Sequence, residues 1–518
     1  MISLSAARRA MALVTVALWL AVLRLGWAFL RSELQWEYVA GHSRVDAPWY
    51  YRLAGVWGGS EGSLLLFAAV LAVAAWFVAM RAERASTVLL GAASAGGIGL
   101  AGVVFASPFH RLDVPAVRGF GLTPILEHPA MAIHPPLLYA GLACSLAAAM
   151  AVVDGRSPTA WLRATLGLTT AAMALGGAWS YVEQGWGGYW AWDPVENTSL
   201  LVWLAALVAL HAPSGRWLTT VPWLLTLAGA ALVRSGSTPS VHGFASQVAV
   251  GWLLLAATLL SAAGLWWLLQ GRRRDEHGHE HEPNTVPPGP LPVPLAGRVA
   301  PVVAGAAALV VVAAGTAYPV LADLFGARRG AVRGEFYARL LGPVALVVLP
   351  FLVLRLRRPS ARLAHAGMVV LFVGVAATTF DREEMVIVGD GVTVRAAGLA
   401  VTGGGVSVEQ GPRFDIEQVI ATVEVDGTLM CPALVAYPER GGVLAETAVR
   451  PGLWEDVQVT LVDADDLGVV RVVVRRRPLM WLVWAGALLA TVGALSPPRW
   501  GRRRRAPAVE PASEPAAR

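Results

Sequence analysis

The sequence predicts a polytopic all-α membrane protein of about twelve transmembrane helices, with a small extracytoplasmic all-β domain inserted before the last helix. Three observations carry this. Hydrophobic residues make up 56% of the 518 and charged ones only 15%, with a mean hydropathy of +0.56, a composition suited to lipid. Apolar runs long enough to cross a bilayer, roughly 20 residues each, recur along the chain. One stretch, 381–477, instead alternates apolar and polar residues as half-buried strands do.

In order, the runs lie near 10–30, 62–80, 86–106, 133–153, 161–180, 198–212, 217–234, 246–270, 299–319, 340–355, 362–380 and 478–496. The first is too long for the apolar core of a signal peptide and is expected to stay as a span. Residues 1–380 thus form the main membrane domain. Within it, 271–298, "GRRRDEHGHEHEPNTVPPGPLPVPLAGR", reads as a Pro-rich cytoplasmic linker. In 381–477, "EMVIVGDGVTV", "ATVEVDG" and "VVRVVVRRR" give the strands, with turns at Asp390-Gly391 and Asp426-Gly427. The last span, 478–496, precedes a basic cytoplasmic tail, 497–518.

All 41 basic residues are arginine, which reads as a coding bias and not as function. The net charge of +6 collects on one set of loops and the tail. It therefore reports topology and argues against nucleic-acid binding. Arg8, Arg9, Arg81, Arg84, Arg156, Arg163, Arg216, Arg272 to Arg274, Arg355 with Arg357 and Arg358, and Arg502 to Arg505 fall on one side, taken as cytoplasmic with both termini. The two cysteines, Cys144 and Cys431, lie far apart, so no disulfide framework, zinc site or thiol relay is indicated.

Ionisable residues in membrane segments are rare and usually functional, so the placement of the histidines is informative. His211 lies 15 residues after Glu196, about 22 Å deeper along a helix. His365 enters the eleventh span from the same side, at similar depth. Two neutral imidazoles at one depth on different helices suit axial ligation of a haem iron. Two interfacial histidines bonded to carbonyls suit the pattern as well. On the outer side, His134 opens the fourth span in "HPPLLY", and His242 sits in "RSGSTPSVHGF". Both could be ligands, or an ordinary helix start and loop; His128 is the rival to His134. His42 and His110 have no evident partner, and His277, His279 and His281 belong to the solvated linker.

The most unusual segment is "GWGGYWAWDPVEN", 185–197. Interfacial anchoring explains some tryptophans in a chain holding 21 of them. Here, however, Trp186, Tyr189, Trp190 and Trp192 are concentrated in one loop, with Gly187 and Gly188 removing bulk between them. Stacked indoles beside glycines make a shelf for a flat apolar macrocycle. A haem edge on that shelf, its iron between His134 and His242, satisfies each element. Asp193 and Glu196 follow at once, as contacts to haem or partner, or as a cap on the next helix.

"WGGYWAWDPVEN" resembles the WWD signature of the haem-handling membrane proteins of cytochrome c maturation. "WGGSEGSLL" (57–65), "HPPLLY" (134–139), "VRSG" with the following "VHGFA", and "LAHAGMVVLF" (363–372) narrow the resemblance to the CcmF-type cytochrome c haem lyases of System I. It runs from about residue 36 to 380 and continues loosely through the β domain and last span. Tyr189 stands where many members have tryptophan, and the chain is shorter between His242 and His365, which suggests missing spans.

The resemblance implies that His134 and His242 ligate the iron of an outer-face haem, which is the transferred substrate. It likewise implies that His211 and His365 ligate a transmembrane haem b. The loop would hold the outer haem for apocytochrome c, with Trp186, Trp190, Trp192 and Asp193 closest to the chemistry. Thiols of a CxxCH motif would add across the haem vinyl groups, while the haem b, fed by quinol, keeps the iron ferrous. Implied partners are a haem chaperone of the CcmE type, apocytochrome c and thiol-handling CcmH/CcmI-type subunits. The implied location is the bacterial inner (plasma) membrane, with loop and β domain outside. Rival readings are a CcmC-type or CcsA-type WWD protein, a nitrite-reductase-dedicated lyase paralogue, or a transporter with the loop as gate.

Overall fold

The computed structural model describes residues 2–497, apart from 184, 186–187, 213–214, 237–246, 279–294, 326–335, 338–349, 351–352, 355, 357, 411–416, 438–441 and 466. Among them, nine helices are long and apolar enough to cross a membrane. The chain opens with α1 (Leu4–Leu30), then the short α2 (Glu37–His42) and α3 (Trp49–Ala54). Next come α4 (Ser60–Ala79), α5 (Ala85–Phe105), α6 (Ala130–Asp154), α7 (Thr159–Glu183), α8 (Pro194–His211) and α9 (Val221–Ser235). Then follow α10 (Val248–Gly278), α11 (Leu295–Leu324), α12 (Pro359–Ala377) and, after the β domain, α13 (Met480–Leu495).

Most expected spans correspond to these helices. The expected span 340–355 and the tail 497–518 lie almost wholly outside the described residues. Two expectations are corrected. The linker 271–298 is helical at both ends, because α10 runs to Gly278 and α11 starts at Leu295. Arginine and glutamate are good helix formers, and no proline interrupts until Pro283. His134 also does not open its helix: α6 begins at Ala130, leaving Pro135 and Pro136 inside it.

Lipid offers no partner for the unsatisfied backbone groups at helix ends, so the protein supplies its own. At the end of the bundle where α1 starts, termed proximal, the carboxylate of Asp154 accepts from Glu83 N, Arg84 N and Thr87 Oγ1, capping α5 from a different helix. Arg8 donates to Ala79 O and Ala82 O, closing α4. Arg163 does the same for α13, donating to Gly493 O, Ala494 O and Ser496 O. Several of the arginines that orient the sequence therefore also tie one helix end to another.

Helix association in lipid depends on close packing, which small residues permit. The seam between α12 and α13 shows this. A Cβ on Gly367 would lie 2.3 Å from Ala490 N, and one on Gly374 2.8 Å from Val483 N. From the other side, a Cβ on Gly486 would lie 2.3 Å from Leu371 N. The two backbones touch, fixing α12 and the His365 it carries.

Between α12 and α13 the chain leaves the bundle at its distal end and forms ten strands among the described residues. They are β1 (Arg382–Val388), β2 (Thr393–Ala396), β3 (Leu399–Gln410), β4 (Glu417–Val425), β5 (Thr428–Met430), β6 (Ala433–Tyr437), β7 (Gly442–Glu446), β8 (Ala448–Arg450), β9 (Glu455–Ala464) and β10 (Val470–Pro478). One antiparallel sheet has the order β1-β10-β9-β8 and the other β2-β3-β4-β6-β7, with β5 paired to β4. Inward valines such as Val401, Val423, Val459 and Val472 fill the space between them. Asp426 and Gly427 both have positive φ, 45° and 76°, and join β4 to β5 as a tight hairpin turn.

Candidate functional site

The Trp-rich loop joins α7 to α8 at the distal end. Its acids have a local task. Asp193 is the N-cap of α8: Oδ1 accepts from Val195 N at 2.7 Å and Glu196 N at 2.9 Å. Glu196 returns the favour, its Oε2 accepting from Ala191 N at 2.8 Å and Asp193 N at 3.3 Å. This capping box sets where the loop ends and α8 begins. Just before it, Trp192 adopts a left-handed backbone, φ +58°, uncommon for a bulky residue. That turn stacks its indole on Tyr337, centroids 4.2 Å apart and planes 8° from parallel. Trp190 meets Trp192 edge-on at 6.2 Å, with its Nε1 buried and lacking an acceptor among the described residues. Tyr189 packs edge-on against Trp484 of α13, and Gly188 O accepts from Ser180 Oγ. Trp186, Gly187 and His242 lie outside the described residues.

The β domain rests on the foot of this loop. Tyr181 donates its hydroxyl to Asp456 Oδ2 at 3.0 Å, and Gln458 Nε2 donates to Tyr181 O at 3.1 Å. Arg475 Nη1 donates to Gly185 O at 3.3 Å. Glu446 of β7 faces Glu183 across the same seam, and burial raises the Glu446 carboxyl above its ordinary range.

Behind the loop lies a cavity of about 210 Å3, walled by α6, α7, α8 and α9 and reached by His134, Tyr189, Trp190, Trp179 and Glu196. Sites that enclose a whole ligand run to roughly 300–1,000 Å3. This one suits the edge of a macrocycle. His134 Nδ1 lies 2.8 Å from Ala172 O; a carbonyl only accepts, so Nδ1 carries the proton and Nε2 the lone pair. Gly176 makes room for the ring: a Cβ there would lie 2.6 Å from His134 Cε1. Pro135, lacking an N–H, leaves Met131 O without its helical donor, and Trp57 Nε1 takes that carbonyl at 2.8 Å.

His128, the rival to His134, is engaged elsewhere. Its Nδ1 accepts from Ala130 N at 3.1 Å, its Nε2 lies 3.8 Å from Glu183 Oε1, and its ring stacks on Trp179. Burial lowers its pKa below the usual range. His42 packs on Tyr38, and His110 lies exposed beside Glu37.

At the proximal end, His211 and His365 come together from α8 and α12, with ring centroids 6.1 Å apart and planes at 81°. Each Nδ1 lies 2.8 Å from a carbonyl one turn back, Leu207 O or Ala361 O, which leaves each Nε2 as the ring's lone-pair nitrogen. With metal–nitrogen bonds near 2 Å and each centroid about 1 Å behind its donor, two imidazoles on one iron stand roughly 6 Å apart. The donor set and spacing therefore fit a bis-histidine haem. Among the described residues, no group of three or more His, Cys, Asp or Glu is placed to hold a bare metal ion.

Sequence reasoning missed three contributors: Arg234 and Trp179 on the cavity wall, and the β-domain contacts to Tyr181 and Gly185. A lone arginine inside an apolar helix was a signal for the first. Contacts 275 residues apart in the chain leave none.

Comparison with known proteins agrees with this architecture. A family model described as "Cytochrome C assembly protein" matches residues 157–234, from α7 through α9. The "Probable cytochrome c-type biogenesis protein NrfE" of Escherichia coli K12 is 34% identical over 397 residues, covering 70% of each chain. "Cytochrome c-type biogenesis protein ccl1" of Rhodobacter capsulatus is 28% identical over 583 aligned positions, covering 90% of this chain and 87% of its own. A solved structure titled "Cytochrome c Heme Lyase CcmF" superposes with a TM-score of 0.70 over 95% of this chain and 91% of that one, at 20% identity. With the multi-pass bundle and late β domain shared across that length, this chain belongs to the CcmF-type family of cytochrome c biogenesis proteins.

Proposed function

We propose that the chain is a cytochrome c haem lyase. It would take haem at the outer membrane face and attach it through thioether bonds to the CxxCH cysteines of apocytochrome c. The observation that carries the reading is the pairing of His211 with His365, whose ring spacing and lone-pair Nε2 atoms fit a resident haem b. The substrate supplies the nucleophiles: each S–H adds across a vinyl group, sulfur to one carbon and hydrogen to the other, with no net redox change. The protein's work is then orientation and exclusion of water. His134 would offer Nε2 to the iron of the substrate haem, with His242 as the expected second ligand. Tyr189, Trp190 and Trp192, together with Trp186, Gly187 and Gly188, would hold its edge. Asp193 acts on the loop by capping α8.

A haem b held by His211 and His365 would supply one-electron chemistry, with quinol as the expected donor. The arginine-tied proximal end faces the cytoplasm in this reading, placing loop and β domain outside. There they meet a haem chaperone of the CcmE type, apocytochrome c and CcmH/CcmI-type subunits.

The test is the absorption spectrum of the purified protein in detergent. Wild type should carry b-type bands on reduction, and His211→Ala and His365→Ala should each lose them. Wild type without haem, or both variants with an unchanged spectrum, would refute the inner-pair assignment.

A further inference from the structure

The distal cavity is lined by a buried arginine whose donors are only partly satisfied among the described residues. Arg234, in the last turn of α9, is only 6% exposed and lines the cavity together with His134. Its Nη2 donates to Ser63 Oγ at 3.2 Å, while Nε is buried without an acceptor among the described residues. Glu61 is the acid that acts on it electrostatically, and that carboxylate is already held by Gln247, whose Nε2 donates to Oε1 at 2.8 Å. An arginine cannot shed its proton inside a protein. A desolvated cation is costly unless its donors are fully satisfied, and Glu61 and the C-terminal end of α9 answer part of that cost while the buried Nε stays without an acceptor among the described residues.

We infer that Arg234 binds a carboxylate carried by the ligand of this cavity, an apolar ring with acidic groups on one edge. The inference rests on the proposed function for the ligand's identity as haem. A flat ring held only through its metal, by His134 and the expected His242, can turn about the metal–nitrogen axis. A charge-assisted contact at the rim stops that rotation. It therefore fixes which edge, and so which vinyl groups, faces the acceptor thiols. Arg234 is in this sense a specificity residue, and the cavity reads as a socket with an iron end and an acid end.

The test titrates haemin and its dimethyl ester into the full-length protein in detergent, following the Soret band, with His134→Ala defining the signal due to this site. The ester keeps ring, iron and vinyl groups and lacks only the charge. Haemin should bind wild type roughly tenfold more tightly than the ester, the scale of one charge-assisted hydrogen bond. Arg234→Gln should abolish that preference by weakening haemin alone, and Arg234→Lys should keep part of it. Equal affinities of wild type for acid and ester overturn the role of Arg234 and leave the lyase reading standing. No His134-dependent binding of either compound overturns both.

Discussion

The Tyr181 hydroxyl of α7 donates to Asp456 Oδ2 of β9 at 3.0 Å, a hydrogen bond between the foot of the Trp-rich loop and the β domain. Asp456 also accepts from Gly452 N, so the carboxylate is held from both sides. The β domain is thus a brace for the loop. Removing one buried hydrogen bond costs about 1 kcal/mol, and more when a carboxylate is stranded. Tyr181→Phe should therefore loosen the brace, read as faster limited proteolysis between α12 and α13. Unchanged proteolysis would mean the contact carries no load.

Asp193 separates two roles by a single substitution. If its work is to cap α8, asparagine replaces it, whereas alanine loses about 1 kcal/mol of helix stability. Asp193→Asn should then retain most cytochrome c maturation and Asp193→Ala should lower it. Equal loss in both would show that the negative charge itself is used.

The stack of Trp192 on Tyr337 predicts an aromatic requirement at a residue far along the chain. A buried aromatic pair contributes about 0.5–1.5 kcal/mol beyond its area. Tyr337→Phe should be silent in maturation assays, while Tyr337→Ala should reduce the yield of haem-loaded cytochrome several-fold. Comparable activity of the two variants would contradict the shelf geometry.

Backbone contact between α12 and α13 predicts sharp intolerance at their glycines. Gly367→Ala places a methyl against Ala490 N, and helix separation would move His365 away from His211. The variant should lose b-type absorbance. Gly97, with nothing within 4 Å of its Cβ position, is the control that should tolerate alanine.

Glu446 gives a pH dependence outside the membrane. Burial raises its carboxyl above the unfolded value of 4.5, so the folded state holds the proton to higher pH than the unfolded one. The stability it contributes is complete below 4.5 and is lost as pH rises through the folded pKa. Docking of the β domain should weaken accordingly over that window, and Glu446→Gln should flatten the decline in a melting series. A decline identical to wild type would place the titration elsewhere.

The bundle was legible in the sequence because span length and the arginine bias follow from lipid and hardly from packing. The β domain was legible through alternation and Asp-Gly turns, and Asp426-Gly427 forms its turn where expected. His211 and His365 could be matched by depth alone, yet their approach to 6.1 Å depends on the α12–α13 seam, which only coordinates reveal. Linker ends were misjudged because Pro-rich composition in the middle masked good helix formers beside it. The bracing of the loop by Tyr181, Asp456 and Arg475 depends on pairs hundreds of residues apart. No local pattern records such a pairing.

The most direct test is covalent haem on a CxxCH reporter cytochrome in a bacterium deprived of its own lyase and supplied with this chain. Wild type should restore haem that survives denaturing electrophoresis, and His134→Ala should abolish it while the purified variant keeps its b-type spectrum. Covalent haem formed equally well by His134→Ala, or none formed by wild type with the other maturation subunits present, would contradict the account.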